Sequence, residues 1–141
     1  MSRIYWDTML FIYWLEDHPH FAKRVDAIYI RMQERNDRLI TGALTFGEVL
    51  AGVYRQGKPD LADKTKRSLQ KVVSEVVPFT VNTADRYAQI RGSLGFSAPD
   101  ALHLASAAEA GTDLFVTNDK RLVGKYVPGI QFIAALDTPI F

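Results

Sequence analysis

Short strand-like runs alternate with helical segments along this chain, and that alternation limits its fold more than any other feature. Arg3–Trp6 reads as a strand, followed by Thr8–Glu16, a helix apolar on nearly every side and therefore expected to be buried. Phe21–Arg35 reads as a second helix, with Val25, Ile28 and Met32 on one face. Arg38–Thr41 is a brief strand. Thr45–Arg55 is a helix ended by Gln56-Gly57, and Asp60–Val73 is a basic amphipathic helix. Val76–Val81 is β-branched, with Pro78 arguing for an edge or a bulge. A helix capped by Asn82 or Thr83 runs to Arg91, and an alanine-rich helix spans Pro99–Ala110. Asp113–Val116, a short helix over Asp119–Val123 and the strand Ile130–Ile133 complete the chain.

Such β-α-β-α order favours an α/β sandwich with a mainly parallel sheet. In that architecture, sites gather at the carboxyl ends of strands and the starts of the helices that follow. The 141 residues suit a single domain, 1–141, able to bury a core without staples. With no cysteine, disulfides and thiolate metal sites are excluded, which agrees with a cytoplasmic protein. The apolar run Met9–Leu15 is too short, and too closely flanked by Asp7, Glu16 and Asp17, to be a signal peptide or a membrane span.

Four acids fall where this architecture would place a site. Asp7 closes the first strand. Glu48 lies in the first turn of the helix after the second strand, in a capping-box pattern with Thr45. Asp100 opens the alanine-rich helix, in a similar pattern with Ser97. Asp119 follows the strand ending in Leu-Phe-Val. Acids also favour first helical turns for electrostatic reasons alone, by about 0.3–1 kcal/mol each. Asp7 and Asp119, however, emerge from apolar passages where an unpartnered charge is costly. Carboxylates gathered at one sheet edge repel one another unless a cation binds, and an all-oxygen donor set suits Mg²⁺ or Mn²⁺.

Four blocks containing these acids resemble the PIN-domain ribonucleases, most closely the VapC-type toxins of bacterial and archaeal toxin–antitoxin pairs. They are Ile4-Tyr5-Trp6-Asp7-Thr8, Thr45–Gly52, Ala98–Ala105 and Leu114–Asp119, with 41, 52 and 19 residues between successive acids. The resemblance implies a PIN-like three-layer α/β/α sandwich with a short, mainly parallel central sheet. It implies a Mg²⁺- or Mn²⁺-dependent endoribonuclease that cleaves RNA with metal-activated water, using Asp7, Glu48, Asp100 and Asp119. A homodimer silenced by a cognate VapB-like antitoxin is expected with it.

Within that resemblance, Asp7 and Asp100 are expected to hold the principal ion, with Asp119 and Glu48 completing the shell. Thr8 and Thr117 would orient carboxylates, and Asn118 would either help beside them or serve the turn before Asp119. Net charge is only +1, but the segment Arg55–Lys71 holds six bases against two acids. On charge alone this is a solvated helix face. For a nuclease it offers Arg55, Lys58, Lys64, Lys66 and Arg67 as a track for the RNA backbone. His103 is assigned to packing or surface in preference to the site. His18 and His20 are assigned to a turn, and Trp6, Tyr13 and Trp14 to a core or dimer interface. The main rival is a catalytically inactive PIN-like scaffold that binds RNA or a partner. A phosphoacceptor receiver domain would need an acidic pair after the first strand and an Asp where Thr41 stands. A small-ester phosphatase would need an Asp-x-Asp pair in the first block.

Overall fold

The computed structural model describes residues 1–141. Its elements run β1 (Arg3–Trp6), α1 (Thr8–Leu15), α2 (Ala22–Arg35), β2 (Arg38–Gly42), α3 (Ala43–Arg55), α4 (Asp60–Val72), β3 (Glu75–Val77), α5 (Val81–Leu94), α6 (Ala98–Ala110), β4 (Thr112–Thr117) and β5 (Ile130–Ala135). The five strands form one parallel sheet in the order β3-β2-β1-β4-β5.

Strand periodicity builds the layers. Successive strand residues point to opposite faces. Ile4 and Trp6 of β1, Leu39 of β2 and Val116 of β4 share one core with Leu10, Phe11, Val25, Ile28, Val49 and Leu69, which come from α1 to α4. Tyr5, Ile40 and Phe115 point the other way, into a core shared with Ile90 of α5 and Ala101, Leu104 and Ala108 of α6. Helices therefore cover both faces, giving an α/β/α sandwich. Full burial of each large side chain in these cores is worth about 1.5–3 kcal/mol. The alanines of α6 have a packing reason. The helix is buried on most sides, and Ser106 lies close enough that a Cβ on Gly42 would stand 3.2 Å from its Oγ.

The topology places the site. From β1 the chain moves outward through β2 and β3, then returns to the other side of β1 with β4 and β5. The switch point therefore lies between β1 and β4, where a crevice opens at the carboxyl ends of the strands. Tyr5 pairs with Phe115 and Trp6 with Val116, so Asp7 and Thr117 leave the sheet side by side. The Asp7 N–H donates to the Val116 carbonyl at 3.1 Å.

Several local expectations are corrected. Helix α3 begins at Ala43 with Gly42 as its N-cap, so Thr45 caps nothing and Glu48 lies beyond the first turn. The Thr45 hydroxyl instead bonds Thr41 Oγ1 at 2.6 Å. Helix α5 is capped by Thr80, in a reciprocal box with Thr83, and runs on to Leu94. After β4 the chain forms turns over 119–125 in place of a helix. The β-branched run shrinks to the three residues of β3, an edge strand that stops before Pro78. No helix is long and apolar enough to cross a membrane.

Candidate active site

Asp7, Glu48, Asp100 and Asp119 all line one open cleft of about 550 Å³, together with Thr8, Met9, Tyr13, Arg55, His103, Asn118 and Lys120. They come from the end of β1, the second turn of α3, the first turn of α6 and the turn after β4. No stretch of sequence contains two of them. The parallel sheet brings them together.

Each carboxylate already has a donor from the chain. Thr117 Oγ1 donates to Asp7 Oδ2 at 2.8 Å. Ser97 Oγ donates to Asp100 Oδ2 at 2.9 Å. Glu48 Oε1 accepts from Thr8 Oγ1 at 2.6 Å and lies 2.6 Å from His103 Nε2. Arg121 forks onto Asp119, with Nη2 at 2.7 Å from one oxygen and Nε at 3.0 Å from the other. The same Nη2 stands 3.9 Å from Asp100 Oδ2, so the guanidinium spans two acids of the cleft. No three of the acids and histidines are close enough to share one ion as placed.

The environments push the acids apart. Burial drives the Asp7 carboxyl above its ordinary range, against the opposing pull of His103 and the Thr117 hydroxyl, and the Asp100 charge adds to the rise. The His103 hydrogen bond holds Glu48 below its ordinary value. Arg121 does the same for Asp119. Asp7 is thus the group with most to gain from a nearby positive charge. An all-oxygen donor set around a partly buried acid fits a hard divalent cation.

The sequence matches the PIN domain family over residues 4–126. The chain belongs to the PIN-domain family. Among solved structures, this PIN domain is similar to a chain of the DNA-bound VapBC structure from Salmonella typhimurium. The TM-score is 0.75 at 19% identity, covering 96% of this chain and 99% of that one. It is also similar to a chain of the VapBC2 structure from Rickettsia felis, which is bound to a promoter DNA fragment. There the TM-score is 0.72 at 16% identity, over 94% and 98% of the two chains. A chain of VapBC-5 from Mycobacterium tuberculosis, of the VapBC family of toxin–antitoxin systems, gives 0.60 at 19% identity, over 94% and 98%. At these identities the likeness is one of fold. A search of curated protein sequences returns no match.

The remaining sequence candidates of the PIN domain divide. Thr8 and Thr117 each donate to a carboxylate, Thr8 to Glu48 and Thr117 to Asp7. Asn118 lines the cleft but donates to Tyr13 Oη at 2.9 Å and to no acid. Of the basic track, Arg55 lines the cleft. Lys58, Lys64, Lys66 and Arg67 are exposed on or before α4, and Arg67 pairs with Asp63. Trp6 is fully buried, while Tyr13 and Trp14 are half-buried against Phe21 and Tyr29.

Sequence reasoning gave no site role to three residues that meet the acids or their partners: it assigned His103 to packing or surface and did not consider Tyr5 or Arg121. His103 is 4% exposed, and both its ring nitrogens are engaged. Its signal was a lone titratable side chain on the buried face of an alanine-rich helix, where polar groups need partners. Tyr5 reads as plain core, yet its hydroxyl contacts both Gly42 and His103. Arg121 gave no pattern beyond lying two residues after Asp119.

Proposed function

We propose that this PIN domain is a Mg²⁺- or Mn²⁺-dependent endoribonuclease and the toxin of a cytoplasmic toxin–antitoxin pair. One observation carries the reading. Four carboxylates from four separated segments line a single cleft at the topological switch point, and the most buried of them is held in a state that disfavours its charge. A fold needs no such convergence for stability, since like charges brought together repel.

Asp7 and Asp100 would hold the principal ion, with Asp119 and Glu48 completing the set. A bound divalent ion supplies charge neutralisation at the scissile phosphate and a water acidic enough to lose its proton near neutral pH. The chain's own residues do the rest. Thr117 keeps the Asp7 carboxylate oriented, and Thr8 does so for Glu48. A cation held by Asp119 would displace Arg121, whose guanidinium would then be free to meet a phosphate. Arg55 and Lys120 on the cleft wall, and the exposed bases of α4, attract the RNA backbone. The toxin role and a VapB-like antitoxin rest on the fold shared with chains of VapBC structures, and the homodimer rests on the resemblance of the sequence to VapC-type toxins alone.

The rival reading, an inactive scaffold, is favoured by the donor already present on every acid. Cleavage of single-stranded RNA with and without Mn²⁺ separates the two, run on wild type, Asp7→Asn and Asp100→Asn. A nuclease shows Mn²⁺-dependent cleavage that drops to background in both variants. Equal rates in all three proteins sink the assignment. RNA binding without cleavage, with no effect of Mn²⁺ on thermal stability, establishes the scaffold.

A further inference from the structure

A hydrogen-bonded chain runs from the end of β2 through the core to the cleft. The Gly42 N–H donates to Tyr5 Oη at 3.0 Å. Tyr5 Oη lies 2.8 Å from His103 Nδ1, and His103 Nε2 lies 2.6 Å from Glu48 Oε1. Tyr5 is fully buried, its ring stacked on Phe115, and His103 is nearly buried as well.

The direction of each bond follows from the inventory of protons. The Tyr5 hydroxyl carries one proton to donate and an oxygen that accepts, here from the Gly42 N–H. The Glu48 carboxylate can only accept, so the proton between it and the ring sits on Nε2, and Nδ1 of a neutral ring is left to accept from the Tyr5 hydroxyl. A neutral imidazole that accepts at Nδ1 carries its proton on Nε2. That N–H meets Glu48 Oε1, with Thr8 Oγ1 also in reach at 3.0 Å. The Thr8 hydroxyl donates to the same Glu48 oxygen. Oε1 is therefore occupied twice, while Oε2 has no donor from the chain.

We propose that His103, oriented by Tyr5, is a positioning residue that pins Glu48 by one oxygen and leaves the other for the cation of the cleft. This rests on the nuclease reading for its consequence but not for its geometry. Gly42 belongs to the same device. A Cβ there would stand 2.8 Å from Tyr5 Oη, so glycine keeps the place of the phenol open.

The test joins two measurements. Nitrogen-15 NMR of the histidine rings in the metal-free protein reports which nitrogen of His103 carries the proton, in wild type and in Tyr5→Phe. Calorimetric Mn²⁺ titration, with RNA cleavage alongside, compares wild type, His103→Leu and His103→Gln. The wild-type ring is expected to be protonated on Nε2, and Tyr5→Phe to release Nδ1 and change the ring spectrum. Mn²⁺ affinity is expected to fall about 10–100-fold in His103→Leu and to recover to within about threefold in His103→Gln, whose amide N–H can still reach Glu48. A proton on Nδ1 in wild type overturns the proposal, and so does unchanged Mn²⁺ affinity in a folded His103→Leu. Should His103→Leu fail to fold, the two ring spectra decide, and a spectrum indifferent to Tyr5→Phe overturns it. A wild type that neither binds Mn²⁺ nor cleaves RNA ends the nuclease reading. The ring spectra still judge the positioning of Glu48.

Discussion

The Thr117 hydroxyl donates to Asp7 Oδ2 at 2.8 Å and accepts from the Asp119 N–H at 3.0 Å. One side chain at the end of β4 thereby ties together the acids that follow β1 and β4. Its two roles use different properties of the hydroxyl. The donated proton orients a carboxylate, and the accepted bond shapes the turn that carries the next one. Thr117→Val keeps the shape and removes both. Cleavage of RNA is expected to fall about 10–100-fold. Stability is expected to fall by about 1–2 kcal/mol, since a buried hydrogen bond is lost. Thr117→Ser should restore most of the cleavage. Rates and urea midpoints measured on the three proteins check this.

Glu48→Gln separates charge from hydrogen bonding. A Gln oxygen can still accept from Thr8 and His103, and helix α3 owes its start to Gly42, not to a Thr45–Glu48 box. The fold should therefore hardly notice the change. On the proposed nuclease reading, cleavage should fall about 10–100-fold. A wild-type rate in this variant removes Glu48 from the reaction.

Asp7 makes the pH dependence of stability run opposite to that of a paired carboxylate. Its folded pKa is raised by burial, so its contribution is fully present below the unfolded value near 3.8 and is lost as pH rises through the folded value. At neutral pH the ionised, buried acid costs stability. Asp7→Asn should raise the Tm of the metal-free protein by a few degrees at pH 7, and the gain should vanish in the acid range. Glu48, with its lowered pKa, acts in the opposite sense: its contribution is present above the ordinary value near 4.5 and fades as pH falls through the folded value. Thermal melts of wild type and both neutral variants between pH 3 and pH 8 display the two slopes.

Arg121 competes for the place a cation would take. Its side chain is 80% exposed, so the ion pair adds little to folding. Arg121→Ala should leave Tm nearly unchanged and let the Asp119 carboxyl return upward toward its ordinary value in an NMR titration. Mn²⁺ affinity should rise severalfold, while RNA affinity falls because a phosphate partner is gone. A drop in Mn²⁺ affinity would make Arg121 a support of the site and not a rival.

Gly42→Ala tests the packing behind the site. The backbone φ of −85° suits alanine, so the cost is steric alone. The new Cβ would meet Tyr5 Oη at 2.8 Å and Ser106 Cβ at 3.3 Å. Crowding of this kind costs about 1–3 kcal/mol, partly offset by the ~0.4–1 kcal/mol that alanine gains over glycine in the unfolded chain. A urea midpoint below wild type, together with a displaced Tyr5 ring signal, is expected.

Most of the architecture was legible from periodicity. Arg3–Trp6, Arg38–Gly42 and Thr112–Thr117 each combine β-branched or aromatic residues with a break just after, and all three are parallel strands. Boundaries were less legible, for reasons that differ by residue. Thr45 carries the grammar of a cap, but the sheet places its hydroxyl beside Thr41, and Gly42 then takes the cap. Asp119 looks like a helix start, yet the residues after it close only three-residue turn bonds of 3.1, 3.3 and 3.2 Å and no helical turn. Asn118 reads as a companion of the acids but donates to Tyr13.

The acids were visible in sequence because chemistry leaves a strong local mark: a carboxylate beside apolar strands is costly unless something answers it. Sequence alone therefore pointed to the α/β class with a mainly parallel sheet and marked Asp7, Glu48, Asp100 and Asp119 as site candidates, and the three-layer arrangement came only with the family resemblance. It could not assign the partners of Asp7 and Glu48, which lie far along the chain, whereas Ser97 and Arg121 stand within three residues of Asp100 and Asp119. Thr117 reaches Asp7 across 110 residues, and His103 reaches Glu48 across 55. Only the register of β1 against β4, and the close seat of α6 on the sheet, decided which donor meets which oxygen. Hydrogen bonds are directional over a few tenths of an ångström, and no local pattern specifies distance at that scale.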